Sequence, residues 1–403
     1  MTRRRPRWGD IAPLLGSPDR SRTALQRRLD RCASIGDLRA LARRRVPVPV
    51  FDSVDGAAGT ESTLVRSRAA FARVEFTPRV LRDVSEVDLS TTMLGSTSAL
   101  PFAFAPTGFT RMMHHRRELA VAEPAGEAGI PYALSTLGTT SIEVLAAAAP
   151  DTRRWFQLYV WRDRAASEAL VRRAADRGYD TLILTVDTAV GGIRRRDVRH
   201  GLTIPPQLSA RTLAQMAMRP RWRADVLTTE PLEVATLTST CGTVGELLTR
   251  VFDGSMTRAD IDWLRGTWPG RLMVKGVQSV DDARLLAEAG VDAIVLSNHG
   301  GRQVDRGNVP LELLPQVAAE VGGRVEVYLD GGITSGADIV AALAFGATGT
   351  LVGRAYLYGL MAGGADGVRR AVEILATEVR TTMQLIGVRS VAELGSSYVR
   401  LRD

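Results

Sequence analysis

His299 is the residue around which chemistry can be built. Of the four histidines in this 403-residue chain it alone closes an apolar run, 293–299, whereas His114, His115 and His200 fall in segments that read as loops. An imidazole with an ordinary pKa of about 6.5 can accept a proton near neutral pH, and a carboxylate such as Asp187 can hold the protonated form. Asp187 itself ends another apolar run, 181–187. Arg302 follows His299 closely, and Arg194 stands a short turn beyond Asp187. Taken singly, each arginine reads as a surface residue; two together at run ends offer forked donors to a carboxylate. A base, its counter-ion and two guanidinium groups describe proton abstraction from an anionic substrate.

Further polar residues close the other apolar runs. These are Pro106-Thr107-Gly108, Ser135-Thr136, Gln157 and Tyr159, Thr185, Ser297, Asp330-Gly331-Gly332 and Gly353-Arg354. A bare Gly-Gly usually marks a tight turn. Glycines ending two adjacent runs are also where backbone amides can cradle a phosphate. Lys275 ends the run 272–275 and is the only lysine, so the other 52 − 1 = 51 basic residues are arginines. Coding bias explains the arginines. The retained ammonium reads either as a compact fixed cation against an anionic flavin or as a Schiff-base amine of the barrel-aldolase kind.

The elements that must position these residues alternate from residue 101 onward in β-then-α order. The apolar runs 101–106, 132–136, 155–160, 181–187, 272–275, 293–299, 325–330 and 350–354 count eight, and 163–177, 280–289, 336–347 and 367–386 are among the helical segments. Eight units predict an α/β fold of the closed (β/α)8 (TIM barrel) type rather than an open doubly wound sheet. In a barrel the C-terminal strand ends meet at one mouth, so the residues above converge. Residues 1–100 read as an N-terminal helical extension, with a helix over Ile35–Arg45 and a strand-like Val74–Phe76, packed on a barrel over 101–394. Residues 395–403 read as a tail. Pro124 should kink the first barrel helix.

An insertion over about 195–257, containing Pro205, Pro206, Pro220, Arg221 and Trp222, interrupts the fourth unit. On the catalytic face such a segment reads as a lid or specificity element. Its basic and aromatic stretch 219–223 offers peripheral contact with a membrane as the other reading.

Composition narrows the classes. Hydrophobic residues make up 45% of the chain, ample for a large core. The charge excess of 52 − 44 = +8 is spread along the sequence, so no nucleic-acid partner is expected. Cys32 and Cys241 stand far apart without companion ligands, so neither a disulfide framework nor a metal site is expected. No secretory segment or apolar span is evident, which suits a cytoplasmic protein, at most peripheral at the inner face of the membrane.

The segment Ser297-Asn298-His299-Gly300-Gly301-Arg302-Gln303 resembles the signature of the FMN-dependent 2-hydroxy-acid dehydrogenase and oxidase family, which includes glycolate oxidase, L-lactate dehydrogenase, mandelate dehydrogenase and lactate monooxygenase. Support comes from Ala105-Pro106-Thr107-Gly108, Phe156-Gln157-Leu158-Tyr159, Leu184-Thr185-Val186-Asp187, Val274-Lys275-Gly276, Leu329-Asp330-Gly331-Gly332 and Val352-Gly353-Arg354. The similarity runs over about 35–394 and is nearest in pattern to actinobacterial L-lactate dehydrogenases. It implies an FMN flavoprotein oxidising a lactate-like L-2-hydroxy acid to the 2-oxo acid. His299 would take the proton while a hydride equivalent passes to flavin N5, and Asp187 would stabilise the imidazolium. Arg302 and Arg194 would bind the carboxylate, and Tyr159 would hydrogen-bond the substrate. Lys275 would face the flavin N1 and O2 edge. Pro106, Thr107, Gly108, Ser135, Gln157, Thr185 and Ser297 would line the flavin; Asp330, Gly331, Gly332, Gly353 and Arg354 would hold its ribityl chain and phosphate. The electron acceptor would be oxygen, a quinone or a protein carrier, and the assembly a homo-oligomer, tetrameric as is frequent in the family.

Three positions depart from the family pattern. Ser53, in Phe51-Asp52-Ser53, replaces a tyrosine that helps bind the substrate carboxylate. Thr334 stands where many members carry an arginine near the phosphate, and Leu137 where glycolate oxidase has tryptophan. These changes motivate an alternative expectation, a biosynthetic family member acting on a larger or peptide-derived substrate.

Overall fold

The computed structural model describes residues 7–11, 21–201, 217–229, 234–235 and 252–402. Three short strands precede the barrel, β1 (Val74–Phe76) and the hairpin β2 (Thr91–Met93) and β3 (Ser96–Ser98). Eight parallel strands follow: β4 (Phe102–Thr107), β5 (Tyr132–Ser135), β6 (Arg154–Leu158), β7 (Thr181–Thr185), β8 (Arg271–Val277), β9 (Ala293–Leu296), β10 (Glu326–Asp330) and β11 (Gly349–Val352). Each pairs with the next, and β11 returns to β4 with Thr350 beside Phe102, closing the barrel. A final strand β12 (Val399–Leu401) pairs antiparallel with β1, so the expected tail is a strand clasped to the N-terminal extension.

Strand periodicity sorts the core into two layers. Inward residues Ala103, Ala105, Ala133, Trp155, Ile183, Met273, Ala293, Val295, Tyr328 and Leu351 fill the barrel, small beside large. Trp155 meets Tyr328 edge-on with centroids 6.4 Å apart. Alternate residues such as Phe102, Phe104, Leu182 and Leu184 face the helices. The β2–β3 hairpin closes the N-terminal end with Met93 and Leu94, each such burial worth about 1.5–3 kcal/mol. Glu326 Oε2 accepts there from the Leu94 amide at 2.9 Å and from Tyr328 Oη at 2.6 Å.

The described helices are α1 (Trp8–Ile11), α2 (Ala24–Asp30), α3 (Ile35–Arg45), α4 (Val48–Asp55), α5 (Ser62–Ala72), α6 (Leu119–Glu127), α7 (Ile142–Ala148), α8 (Arg164–Asp176), α9 (Arg195–His200), α10 (Pro220–Leu227), α11 (Ala259–Thr267), α12 (Val280–Glu288), α13 (Pro310–Val321), α14 (Gly336–Ala344) and α15 (Arg354–Ile386). Several expectations need correction. His200 ends α9 rather than lying in a loop. The helix expected over 367–386 is the second half of α15, which bends where Gly363 and Gly364 leave helical φ/ψ. Tyr159, Asp187, Ser297 and His299 lie just past their strands at the mouth, and Arg354 opens α15 there. Most of the insertion, with Pro205, Pro206 and Cys241, lies outside the described residues. Among the described residues no helix is long and apolar enough to cross a membrane.

Candidate active site

Where β9 ends, His299, Gly300 and Gly301 take positive φ in succession, 55°, 61° and 74°. For a histidine that left-handed conformation costs roughly 1–2 kcal/mol, and here it brings the imidazole to the cavity wall. A Cβ on residue 300 would fall on the Arg354 guanidinium, so glycine is required there. His299 Nδ1 lies 3.0 Å from Asp187 Oδ1, and its Nε2 makes no hydrogen bond among the described residues. Burial alone would raise the Asp187 pKa, but His299 and then Lys275 outweigh it and hold the carboxyl below its ordinary range. An ionised carboxylate therefore sits under the imidazole.

Ser297 Oγ accepts from the His299 amide at 3.0 Å and from Lys275 Nζ at 2.9 Å. Lys275, fully inside, also pairs with Asp330 Oδ2 at 2.9 Å. Burial disfavours the ammonium, yet Asp330 and Asp187 more than compensate and its pKa stands above the usual lysine value. A Schiff-base role needs the free amine. The geometry favours the fixed-cation reading.

Both mouth arginines are held by α4, outside the barrel. Arg302 Nη1 donates to Ser53 O at 2.6 Å; Arg354 donates to Val54 O through Nε at 2.8 Å and to Gly56 O through Nη2 at 2.7 Å. These carbonyls form the C-terminal end of α4, where unpaired C=O groups and the negative dipole end favour cations. Burial, with Arg194 and Arg354 close by, brings Arg302 down to about 9. Crowded cations of this kind call for an anion. Arg194 also lines the cavity, with Nε 2.6 Å from Asp197 Oδ2. Gln303 braces the loop leading to it, donating to Asp187 O and Val190 O at 3.0 and 3.1 Å and accepting from the Gly192 amide at 2.9 Å.

The cavity encloses about 660 Å³, within the range of small-molecule and cofactor sites. Of the residues singled out from sequence, Pro106, Thr107, Gly108, Ser135, Tyr159, Arg194, Lys275, His299, Arg302, Asp330, Gly331, Gly332, Gly353 and Arg354 line it. Gln157, Thr185, Asp187 and Ser297 stand behind that wall. Ser135 Oγ donates to Gln157 Oε1 at 2.9 Å. Gln157 Nε2, Thr185 Oγ1, Asp187 Oδ2 and Asp330 Oδ1 are buried without a hydrogen-bond partner among the described residues. Each such group costs about 1–3 kcal/mol if left unpaired, and Asp330, the one of the four that lines the cavity, suits a ligand that brings a donor.

The departures have visible consequences. Ser53 lines the cavity but donates its hydroxyl to Val50 O at 2.8 Å. Thr334 donates to Asp338 Oδ2 at 3.2 Å, in the cap of α14, and brings no charge. Leu137 joins Phe109, Met112, Met113 and Phe252 in an apolar part of the lining. Phe252, from the insertion, meets Tyr159 edge-on at 5.4 Å, and α10 is tied to the same wall by Trp222 Nε1 donating to Met112 O at 2.8 Å.

Phe252, Arg68 and Arg162 also line the cavity but carry no signal in sequence. Gln303 was visible only as part of a motif. A separate cluster, His114, His115 and Asp225, brings ligand-type atoms within 4.8 Å of one another. Burial, His115 and then Arg45, Arg116 and Arg111 push His114 down to about 3, surroundings that oppose a cation.

The sequence pattern of the FMN-dependent dehydrogenase family matches residues 42–401. A Mycobacterium tuberculosis protein provisionally named an L-lactate dehydrogenase is 53% identical over 399 residues, 99% of this chain and 96% of that one. The L-lactate dehydrogenase of Caulobacter vibrioides is 41% identical over 377 residues, 92% of this chain and 98% of its own. Among solved structures, the monotopic membrane protein (S)-mandelate dehydrogenase is 36% identical and superposes with a TM-score of 0.88, covering 92% of this chain and 100% of that one. With eight closed strands and a cation-lined mouth already in view, a match of this extent establishes that the chain belongs to the FMN-dependent dehydrogenase family, oxidoreductases whose cofactor is FMN.

Proposed function

We propose that the protein oxidises an L-2-hydroxy acid to the 2-oxo acid, with His299 Nε2 taking the hydroxyl proton. The observation that carries this reading is the contact of His299 Nδ1 with a buried, ionised Asp187, which stabilises the imidazolium as it forms. FMN held in this cavity would supply the oxidising chemistry, accepting a hydride equivalent from the substrate. Arg302 and Arg194 bind the substrate carboxylate, and the Tyr159 hydroxyl hydrogen-bonds the substrate. Lys275 would be the fixed cation beside the flavin ring. Pro106, Thr107, Gly108, Ser135, Gln157, Thr185 and Ser297 shape the flavin site, while Asp330, Gly331, Gly332, Gly353 and Arg354 hold the ribityl chain and phosphate. The orphaned Asp330 oxygen suits such a partner.

The names of the relatives favour a lactate-like acid. The apolar lining by Phe109, Met112, Met113, Leu137 and Phe252, with Ser53 turned inward, favours a second reading in which the side chain is larger, aromatic or peptide-derived. Anaerobic mixing of the yellow protein with L-lactate, L-mandelate and a long-chain 2-hydroxy acid separates the two by which acid bleaches the flavin fastest. His299→Gln should retain FMN and slow bleaching by about 10²–10⁴-fold; an unchanged rate would remove His299 as the base.

A further inference from the structure

We infer that Arg68, on a helix outside the barrel, is the second cation, beside Arg354, that binds the FMN phosphate. The inference rests on the family assignment that places FMN in this cavity. α5 lies across the mouth: a Cβ at Gly332 would come 2.8 Å from Ser67 O, and Asn298 Nδ2 donates to Ser67 Oγ at 2.9 Å. The next residue, half-buried Arg68, lines the cavity together with Gly331, Gly332, Gly353 and Arg354. It makes no hydrogen bond or ion pair among the described residues, yet it lies close enough to Arg354 for their charges to repel.

Neighbouring acids are already engaged. Asp55 is bound by Arg39, Arg196 and the Tyr358 hydroxyl, and Asp330 Oδ2 by Lys275. Arg354 has committed Nε and Nη2 to the Val54 and Gly56 carbonyls, which leaves Nη1 for a ligand. A phosphate dianion presents three acceptor oxygens, more than one remaining guanidinium nitrogen serves, and Thr334 adds no charge. Arg68 completes the set. A dianion between the two guanidinium groups turns their repulsion into attraction, while the glycine-rich loops supply backbone amides.

The test compares FMN with riboflavin, which lacks the phosphate, by flavin fluorescence on the full-length chain stripped of its cofactor. Arg68→Gln should weaken FMN by about tenfold or more and leave riboflavin within about twofold. Arg68→Met, which keeps the aliphatic stem, serves in the same way if Arg68→Gln does not fold. FMN affinity unchanged in the variant, or FMN and riboflavin weakened equally, would overturn the assignment. A wild-type protein that does not prefer FMN to riboflavin would instead count against the cofactor reading itself.

Discussion

At the residue scale the proposed mechanism turns on one hydrogen bond, His299 Nδ1 to Asp187 Oδ1 at 3.0 Å. Asp187 is held below the ordinary carboxylate range, so it stays ionised at neutral pH. The acid limb of kcat/KM against pH should therefore have no share from Asp187 and a slope no greater than one; a slope of two would mean that Asp187 titrates as well. Asp187→Asn keeps the shape but removes the charge that stabilises the imidazolium. It should slow anaerobic flavin reduction by about 10²-fold or more with FMN still bound, measured by stopped flow.

At the element scale, α5 depends on a cap supplied from elsewhere in the chain. Its N-cap, Glu61, sits at φ 66° and provides no side-chain cap. Asp305 does so instead, accepting from the Thr60 amide at 2.7 Å, the Thr60 hydroxyl at 2.6 Å and the Thr63 amide at 3.1 Å. The Thr60 hydroxyl and these amides hold its carboxyl well below the usual range. A lowered pKa means the stabilisation is fully present above the unfolded value of about 3.9 and is lost as pH falls toward the folded value. Asp305→Ala should thus cost about 1–2 kcal/mol from pH 6 to 8, and the gap to wild type should close in unfolding measurements carried below pH 4. A gap independent of pH would show that the carboxylate's charge is not what caps the helix.

At the scale of the whole molecule, the C-terminal strand fastens onto the N-terminal extension. β12 lies against β1 with Phe76 beside Val399, Thr77 donates its amide to Tyr398 O at 2.8 Å, and Arg79 stacks over the Tyr398 ring at 4.8 Å. Removing residues 395–403 strips Tyr398 and Val399 from the core and should lower the melting temperature by about 5 °C while the flavin spectrum is retained. No change in melting would show that the clasp is dispensable. The same extension carries α4 and α5, so the barrel carries His299 and the glycine-rich loops, and the extension holds Arg302 and Arg354 beside them.

What the sequence determined by itself was local. Apolar runs of strand length, the glycines after Asp330 and Val352, and a lone strand-ending histidine announced the barrel and its mouth, because alternation and turn chemistry are written in neighbouring residues. Tertiary structure alone added Arg68 to the arginines that the sequence pattern marks. Arg68 is one of 51 arginines in the chain, and nothing in its neighbours marks it; it reaches the cavity only because α5 packs on Gly332. Likewise the carbonyls that hold Arg302 lie 249 residues away at Ser53, and the acid that caps α5 lies 245 residues from Thr60. Such contacts form only when the closed barrel brings distant segments together, and no local pattern encodes them.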